Sequence, residues 1–291
     1  MPQTVTPELR RWIIEQATAG FAPDQVLAAM RSAGWDEDTA IAALETTLSD
    51  HLKSIAPAQP LTLPAALAEP AAVARLPTID LAGSPRRIDA GDRWVEIVAS
   101  VKHPRVVVLG GLLSADECEA IIDQARPHLA RSRTVQTKTG GEELNPDRTS
   151  DGMFFARGQT PEVARVEARI ARLVGWPVDH GEGIQVLHYR PGAEYKPHYD
   201  YFDPAEPGTP TILKRGGQRV ATLVMYLNEP TRGGGTTFPD IGLEVAPVRG
   251  HAVFFSYDRP HPATRTLHGG APVLEGEKWV ATKWLRERTF A

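Results

Sequence analysis

The chain has 291 residues, 42% hydrophobic and 23% charged, the balance of a soluble globular protein with one large domain or a medium and a small one. With 32 basic and 36 acidic residues the net charge is −4, so no basic surplus points to nucleic acid, and no apolar run approaches the ~20 residues of a membrane span. A single cysteine, Cys118, excludes an intrachain disulfide or a Cys-rich zinc site, and MPQTVTPELRRW lacks the apolar core of a signal peptide, so a reducing, cytoplasmic setting is expected.

Residues 1–52 read as a small helical module. PELRRWIIEQATAGF carries Leu9, Ile13, Ile14 and Ala17 at helical spacing and stops at Gly20. PDQVLAAMRSAGW opens on Pro23 and Asp24 and stops at Gly34, and DEDTAIAALETTL opens with acidic residues at the positive end of its dipole. With Gly20-Phe21, Gly34-Trp35 and an Ala-rich last helix, the pattern resembles the ubiquitin-associated (UBA-like) three-helix fold, which implies a protein partner. A plain helical appendage fits the same residues. Residues 53–77 are rich in Ala, Pro and Leu with little charge and read as a linker, partly extended or docked on the next domain.

From residue 78 to 291 the texture is that of a second domain. RVVVLGG (105–111) predicts a buried strand, SADECEAIIDQA (114–125) a capped helix and PEVARVEARIARLVGW (161–176) a longer one. Strand signals then dominate: GIQVLHYR, RVATLVMYLNEP, LEVAP, GHAVFFSY and EKWVATKWLRER. Two helices followed by many strands predict an α+β fold, with helices on one face of an antiparallel sandwich or barrel.

YKPHYDYF (195–202) places His198 and Asp200 two apart, on one face of an extended strand, as two ligands of one metal require. Nine histidines and 36 acidic residues yield about one His-x-Asp/Glu by chance, and the chain has two, the other being His180-Gly181-Glu182. The triplet alone is therefore no argument. A distant histidine (His251, His261 or His268) would complete a 2-His-1-carboxylate set, which leaves three positions open on Fe(II). Ten residues after His268 comes Lys278, sharing a strand face with Val280, Thr282 and Trp284. An inward lysine among apolar residues needs an anion, which the distal carboxylate of 2-oxoglutarate would supply.

QVLHYRPGAEYKPHYDYF, RVATLVMYLNEPTRGGGTTFPD and LHGGAPVLEGEKWVATKWL occur in the order seen in a known family. Over about residues 105–288 the chain resembles the prolyl 4-hydroxylase branch of the Fe(II)/2-oxoglutarate dioxygenases. The resemblance implies a double-stranded β-helix, or jelly roll. It implies Fe(II) held by His198, Asp200 and His268, with 2-oxoglutarate paired to Lys278 and hydrogen-bonded by Tyr189. It also implies ascorbate as reductant, dioxygen as co-substrate and a prolyl residue in a peptide or protein as substrate. A free amino acid or other small molecule is the alternative substrate, and a non-catalytic jelly roll the remaining reading. The presence of Asp200 argues for hydroxylation, because radical halogenases leave that position vacant. Two departures stand out: Ala271 where the family often has cysteine, and Gly235 where it often has glutamate, expected to loosen that turn.

The lesser candidates are weighed against plainer roles. Polar 131–155, with Arg148 and Ser150 in the family's RxS element, is expected to be a substrate-covering lid, and Tyr201 with 202–218 a second one, Arg148, Tyr201 and Trp284 being the candidate substrate residues. Arg148 bridges lid and pocket or is a surface arginine; Trp284 lines the substrate entrance or sits in the core. Tyr195, Tyr199 and Tyr201 alternate opposite to the ligands and should pack behind them, a bend after Asp200 being needed to bring Tyr201 to substrate. His180 and Glu182 are expected to face solvent, His188 to face away from the pocket, and His251 to be structural.

Overall fold

The computed structural model describes residues 5–18, 23–55, 76–135, 141–144 and 147–291. It divides into two units, Met1–Val73 and Ala74–Ala291. The first holds helices α1 (Pro7–Thr18), α2 (Pro23–Ser32) and α3 (Glu37–Ile55). Gly34, with φ +90°, takes the left-handed conformation that ends α2, and the Asp36 carboxylate caps α3 by accepting from the Thr39 N–H at 3.2 Å. Ile13, Val26, Met30, Ala40, Ala43 and Leu44 form the shared core. Most of the stretch read as a linker, residues 56–75, lies outside the described residues.

The second unit begins with strands β1 (Arg87–Asp89), β2 (Trp94–Val101), β3 (Arg105–Gly110), β4 (Ala130–Arg131), β5 (Arg133–Val135), β6 (Glu142–Leu144), β7 (Asp151–Phe155), β8 (Ile184–Tyr189) and β9 (Tyr195–His198). It continues with β10 (Arg219–Tyr226), β11 (Arg232–Gly233), β12 (Thr236–Phe238), β13 (Leu243–Val245), β14 (Ala252–Ser256), β15 (His268–Gly270), β16 (Val273–Glu275) and β17 (Lys278–Arg286). Helices α4 (Ala115–Ala125), α5 (Pro161–Val174) and the short α6 (Thr209–Ile212) lie between them. The main sheet runs β1-β2-β3-β14-β10-β17-β8-β7-β4, and a smaller one runs β13-β12-β15-β9.

Three layers result from alternation along the central strands. On β10, Ala221, Leu223 and Met225 join the core under α4 and α5, beside Cys118, Ile121, Val166 and Ile170. Val224 and Tyr226 point the other way, into a second core shared with Phe238, Val245 and Val273 of the smaller sheet. A sheet buried on both faces cannot alternate apolar with polar, which is why RVATLVMY reads as a continuous apolar run. Both helices carry the ends expected of them. Ser114 and Glu117 form a capping box on α4, while Thr160 and Gly175 close the ends of α5. The result is the expected α+β jelly roll, with helices on the main sheet's outer face.

The two predicted lids are more structured than loops. Within 131–155, β5 pairs with β6 as a hairpin and β7 joins the main sheet beside β8, while 136–140 and 145–146 lie outside the described residues. The segment 202–218 is clamped shut by Gln218, whose side-chain amide bonds both the N–H and the C=O of Phe202 at 2.8 Å. A polar side chain mimicking a strand partner is invisible to composition, so both segments read as loops.

Candidate active site

Two cross-strand registers build the site. In the smaller sheet His268 stands opposite His198, and in the main sheet Lys278 stands opposite Tyr189. The imidazole rings of His198 and His268 lie 4.4 Å apart. Asp200 completes the group: Oδ1 is 3.6 Å from His198 Nε2 and Oδ2 is 3.3 Å from His268 Nε2. One ligand atom from each residue lies within 4.8 Å of the others.

This donor set suits Fe(II). Each imidazole points its Nδ1 at a backbone carbonyl, His198 at Lys196 and His268 at Thr266, both at 2.9 Å. Donation from Nδ1–H fixes the tautomer and leaves both Nε2 lone pairs aimed at the shared space. Burial alone would raise the Asp200 pKa, but the two histidines beside it hold the carboxyl well below its ordinary range. Thr222 Oγ1 donates to Oδ2 at 2.6 Å.

Lys278 lies in the same pocket, 3% exposed. Among the described residues it has no ion-pair partner, and its ammonium sits 5.4 Å from the Tyr189 ring centroid. Burial pushes its pKa down to about 8, with Glu244 opposing the shift. The other lysine of β17, Lys283, faces the opposite side and pairs with Glu167 at 2.5 Å, both side chains buried. One strand thus carries two buried lysines, and among the described residues the one facing the pocket makes no direct ion pair.

The site lies in a half-open cleft of about 450 Å³, a volume that includes the solvent space at its opening. His198, Asp200, His268, Lys278 and Tyr189 all line it, as do Arg148 and Trp284. Arg148 is no surface arginine: it is 4% exposed, donates to Gln185 Oε1 at 2.7 Å and lies over the Tyr195 ring at 5.0 Å. Val280, Thr282 and Trp284 share the Lys278 face as alternation requires. His188 turns away, stacked on Trp279 at 4.3 Å and paired with Glu277 at 2.7 Å.

Four expectations need correction. Tyr195 does not pack behind the ligands; it lines the pocket and stacks on His198 with ring centroids 3.7 Å apart. The pairing of β9 with β15 sets two steps (His268 to Gly270) against three (His198 to Tyr195), and such a bulge re-phases alternation. Tyr201 does not reach the pocket despite the bend at Asp200–Tyr201; it stacks on Tyr199 at 4.8 Å and meets Tyr257 edge-on at 6.0 Å. Glu182 does not face solvent, being 7% exposed between Arg219 at 2.6 Å and Arg286 at 2.8 Å. The arginines that bury it come from strands 37 or more residues later, beyond the reach of local composition. Gly235 leaves no loosened turn either: a Cβ there would lie 2.1 Å from Glu244 Oε1, so the space is filled from β13.

The Glu182 cluster stiffens the floor under the site. Arg219 lies 4.0 Å over the Trp284 ring and reaches the Asp200 carbonyl at 3.4 Å. Glu182→Gln leaves two buried guanidiniums short of a counter-charge and is expected to cost about 3–5 kcal/mol in urea unfolding. A loss below about 1 kcal/mol would show the cluster to be solvated.

The comparisons agree with this geometry. The profile of the 2OG-Fe(II) oxygenase superfamily matches residues 184–286, which hold the whole triad and Lys278. Probable prolyl 4-hydroxylase 3 of Arabidopsis thaliana is 41% identical over 216 residues, covering 67% of this chain and 73% of its own. Prolyl 4-hydroxylase 5 of the same plant is 40% identical over 222 residues, covering 69% and 74%. A viral collagen prolyl hydroxylase from Paramecium Bursaria Chlorella virus-1, solved with 2OG, is 29% identical and matches 62% of this chain and 95% of its own at a TM-score of 0.47. Motif order, pocket chemistry and identity over most of the relatives' length lead to one assignment: the chain belongs to the prolyl 4-hydroxylase branch of the 2OG-Fe(II) oxygenases.

Proposed function

We propose that the protein uses Fe(II), 2-oxoglutarate and dioxygen to hydroxylate a prolyl residue in a peptide or protein. The observation that carries this reading is a single pocket holding both an unpaired buried lysine and a His/Asp/His cluster. In this reading His198 and His268 hold iron through Nε2 and Asp200 through a carboxylate oxygen. Lys278 receives the distal carboxylate of 2-oxoglutarate, with Tyr189 beside it. Bound iron and 2-oxoglutarate supply the oxidising power for an unactivated C–H bond; the chain's residues orient them and keep bulk water out.

Peptide recognition falls to the pocket mouth. Arg148 and Trp284 line the pocket, and in this reading their side chains meet the peptide. A panel of proline-containing peptides, followed by mass spectrometry, tests the reading. A gain of one oxygen on proline is expected. Oxidation of free amino acids alone would redirect the assignment to a small-molecule hydroxylase.

Ascorbate as the iron reductant, and a reducing, cytoplasmic setting, belong to the same proposal; the lone Cys118 is buried and its thiol is pushed up to about 11 by burial. The three-helix unit is read as a recruitment module for a protein partner. Deleting residues 1–52 is expected to leave peptide turnover within about twofold while weakening capture of the natural target, since linked modules raise effective concentration. Unchanged capture would remove this role.

A further inference from the structure

Strand β9 stops at His198, and Asp200 lies in the bend beyond it. Its side chain is held from the main sheet instead. Thr222 Oγ1 donates to Asp200 Oδ2 at 2.6 Å, and the Tyr257 hydroxyl lies 3.1 Å from that same Oγ1. A carboxylate only accepts, so the single Thr222 proton goes to Asp200. Tyr257 must then donate to Thr222. Donor counting thus orders the chain from Tyr257 through Thr222 to Asp200.

Both hydroxyls stand on rigid backbone. Thr222 lies mid-strand on β10, opposite Phe255 of β14 and Trp284 of β17. The Tyr257 N–H bonds the Val220 carbonyl at 3.0 Å. Thr222, Tyr257 and Asp200 are 0%, 3% and 7% exposed, so water does not compete for these bonds. Oδ2 therefore accepts from Thr222 while lying 3.3 Å from His268 Nε2, whereas among the described residues Oδ1 meets only the His198 imidazole, at 3.6 Å.

We propose that Thr222 and Tyr257 are positioning residues that set the rotation of the Asp200 carboxylate and present Oδ1 to the metal. This rests on Asp200 being an iron ligand and extends that reading to two hydroxyls that touch neither metal nor co-substrate. With one lone pair of Oδ2 taken by Thr222, the clamp favours ligation through Oδ1, which would keep the remaining coordination positions free. Because Asp200 has no strand ladder of its own, the clamp supplies what backbone pairing supplies for His198 and His268.

The test is anaerobic titration of the full-length, metal-free protein with Fe(II) alone, reading the dissociation constant, alongside its thermal midpoint without metal. Thr222→Val keeps the shape and removes the hydroxyl; it is expected to weaken Fe(II) binding at least about tenfold, the range for partners that orient ligands. Thr222→Ser keeps the hydroxyl and is expected to stay within about threefold of wild type, and Tyr257→Phe to weaken binding about threefold or more. Thr222→Val binding like wild type overturns the inference, as does Thr222→Ser binding as weakly as Thr222→Val. Should Thr222→Val fail to fold, Tyr257→Phe decides, and an unchanged constant there overturns the proposal. A wild-type protein that binds no Fe(II) refutes the iron site itself, a result distinct from an intact site indifferent to Thr222.

Discussion

Lys278→Ala weakens 2-oxoglutarate binding about a hundredfold or more while leaving Fe(II) affinity within about threefold of wild type. The magnitude comes from removing one partner of a buried charge pair, about 3–5 kcal/mol, where each 1.4 kcal/mol is tenfold. Equilibrium binding of 2-oxoglutarate to the iron-loaded protein measures it. A loss of less than about fivefold would mean that another cation holds the carboxylate, and among the described residues Arg148 is the other lysine or arginine that lines this pocket.

The same lysine dictates a pH dependence. Its pKa falls from the ordinary 10.5 to about 8, because burial disfavours the ammonium. The anion binds the protonated form, so affinity is flat below about pH 8 and declines above it, toward tenfold per unit. Stability moves oppositely. Between about pH 8 and 10.5 the unfolded chain binds more protons at this position than the folded one, so this group's contribution to stability rises with pH. A constant affinity from pH 7 to 9.5 would mean that the lysine stays protonated throughout or that the co-substrate lies elsewhere.

The second large effect is at the cluster itself. His268→Ala is expected to lower Fe(II) affinity by more than about a hundredfold, beyond the loss typical of residues that merely orient a ligand. Turnover should fall with it. His188→Ala is the matched control: another buried histidine, on the far side of the sheet, stacked on Trp279 and paired with Glu277. Its loss should lower stability and spare iron binding. Equal iron affinity in His268→Ala and wild type would remove the triad from the account.

Much of this site is legible because strands speak through alternation. Lys278, Val280, Thr282 and Trp284 share one face of a regular nine-residue strand, and the pocket shows that face intact. Continuous apolar runs likewise mark the doubly covered strands β10 and β14. What alternation cannot foresee is its own interruption. The bulge in β9 moves Tyr195 onto the same side as His198, and sequence carries no mark of which residue is left unpaired. Charge escapes local reading for a related reason. Glu182 reads as a turn residue until Arg219 and Arg286 arrive from other strands, and Lys283 has its counter-charge in Glu167 of α5, far away in sequence. Thr222, whose hydroxyl touches Asp200, sits within an apolar run where a threonine reads as one more β-branched residue. Sequence shows the type of a side chain; long-range partners decide whether it acts.

The most direct test of the whole account is anaerobic addition of Fe(II) and then 2-oxoglutarate to the purified protein, followed by visible absorption. A charge-transfer band that needs both additions, is absent in His198→Ala and is weakened in Lys278→Ala is the predicted result. No band in the intact protein, or a band indifferent to both substitutions, would contradict the claim that this pocket joins one iron to one 2-oxoglutarate.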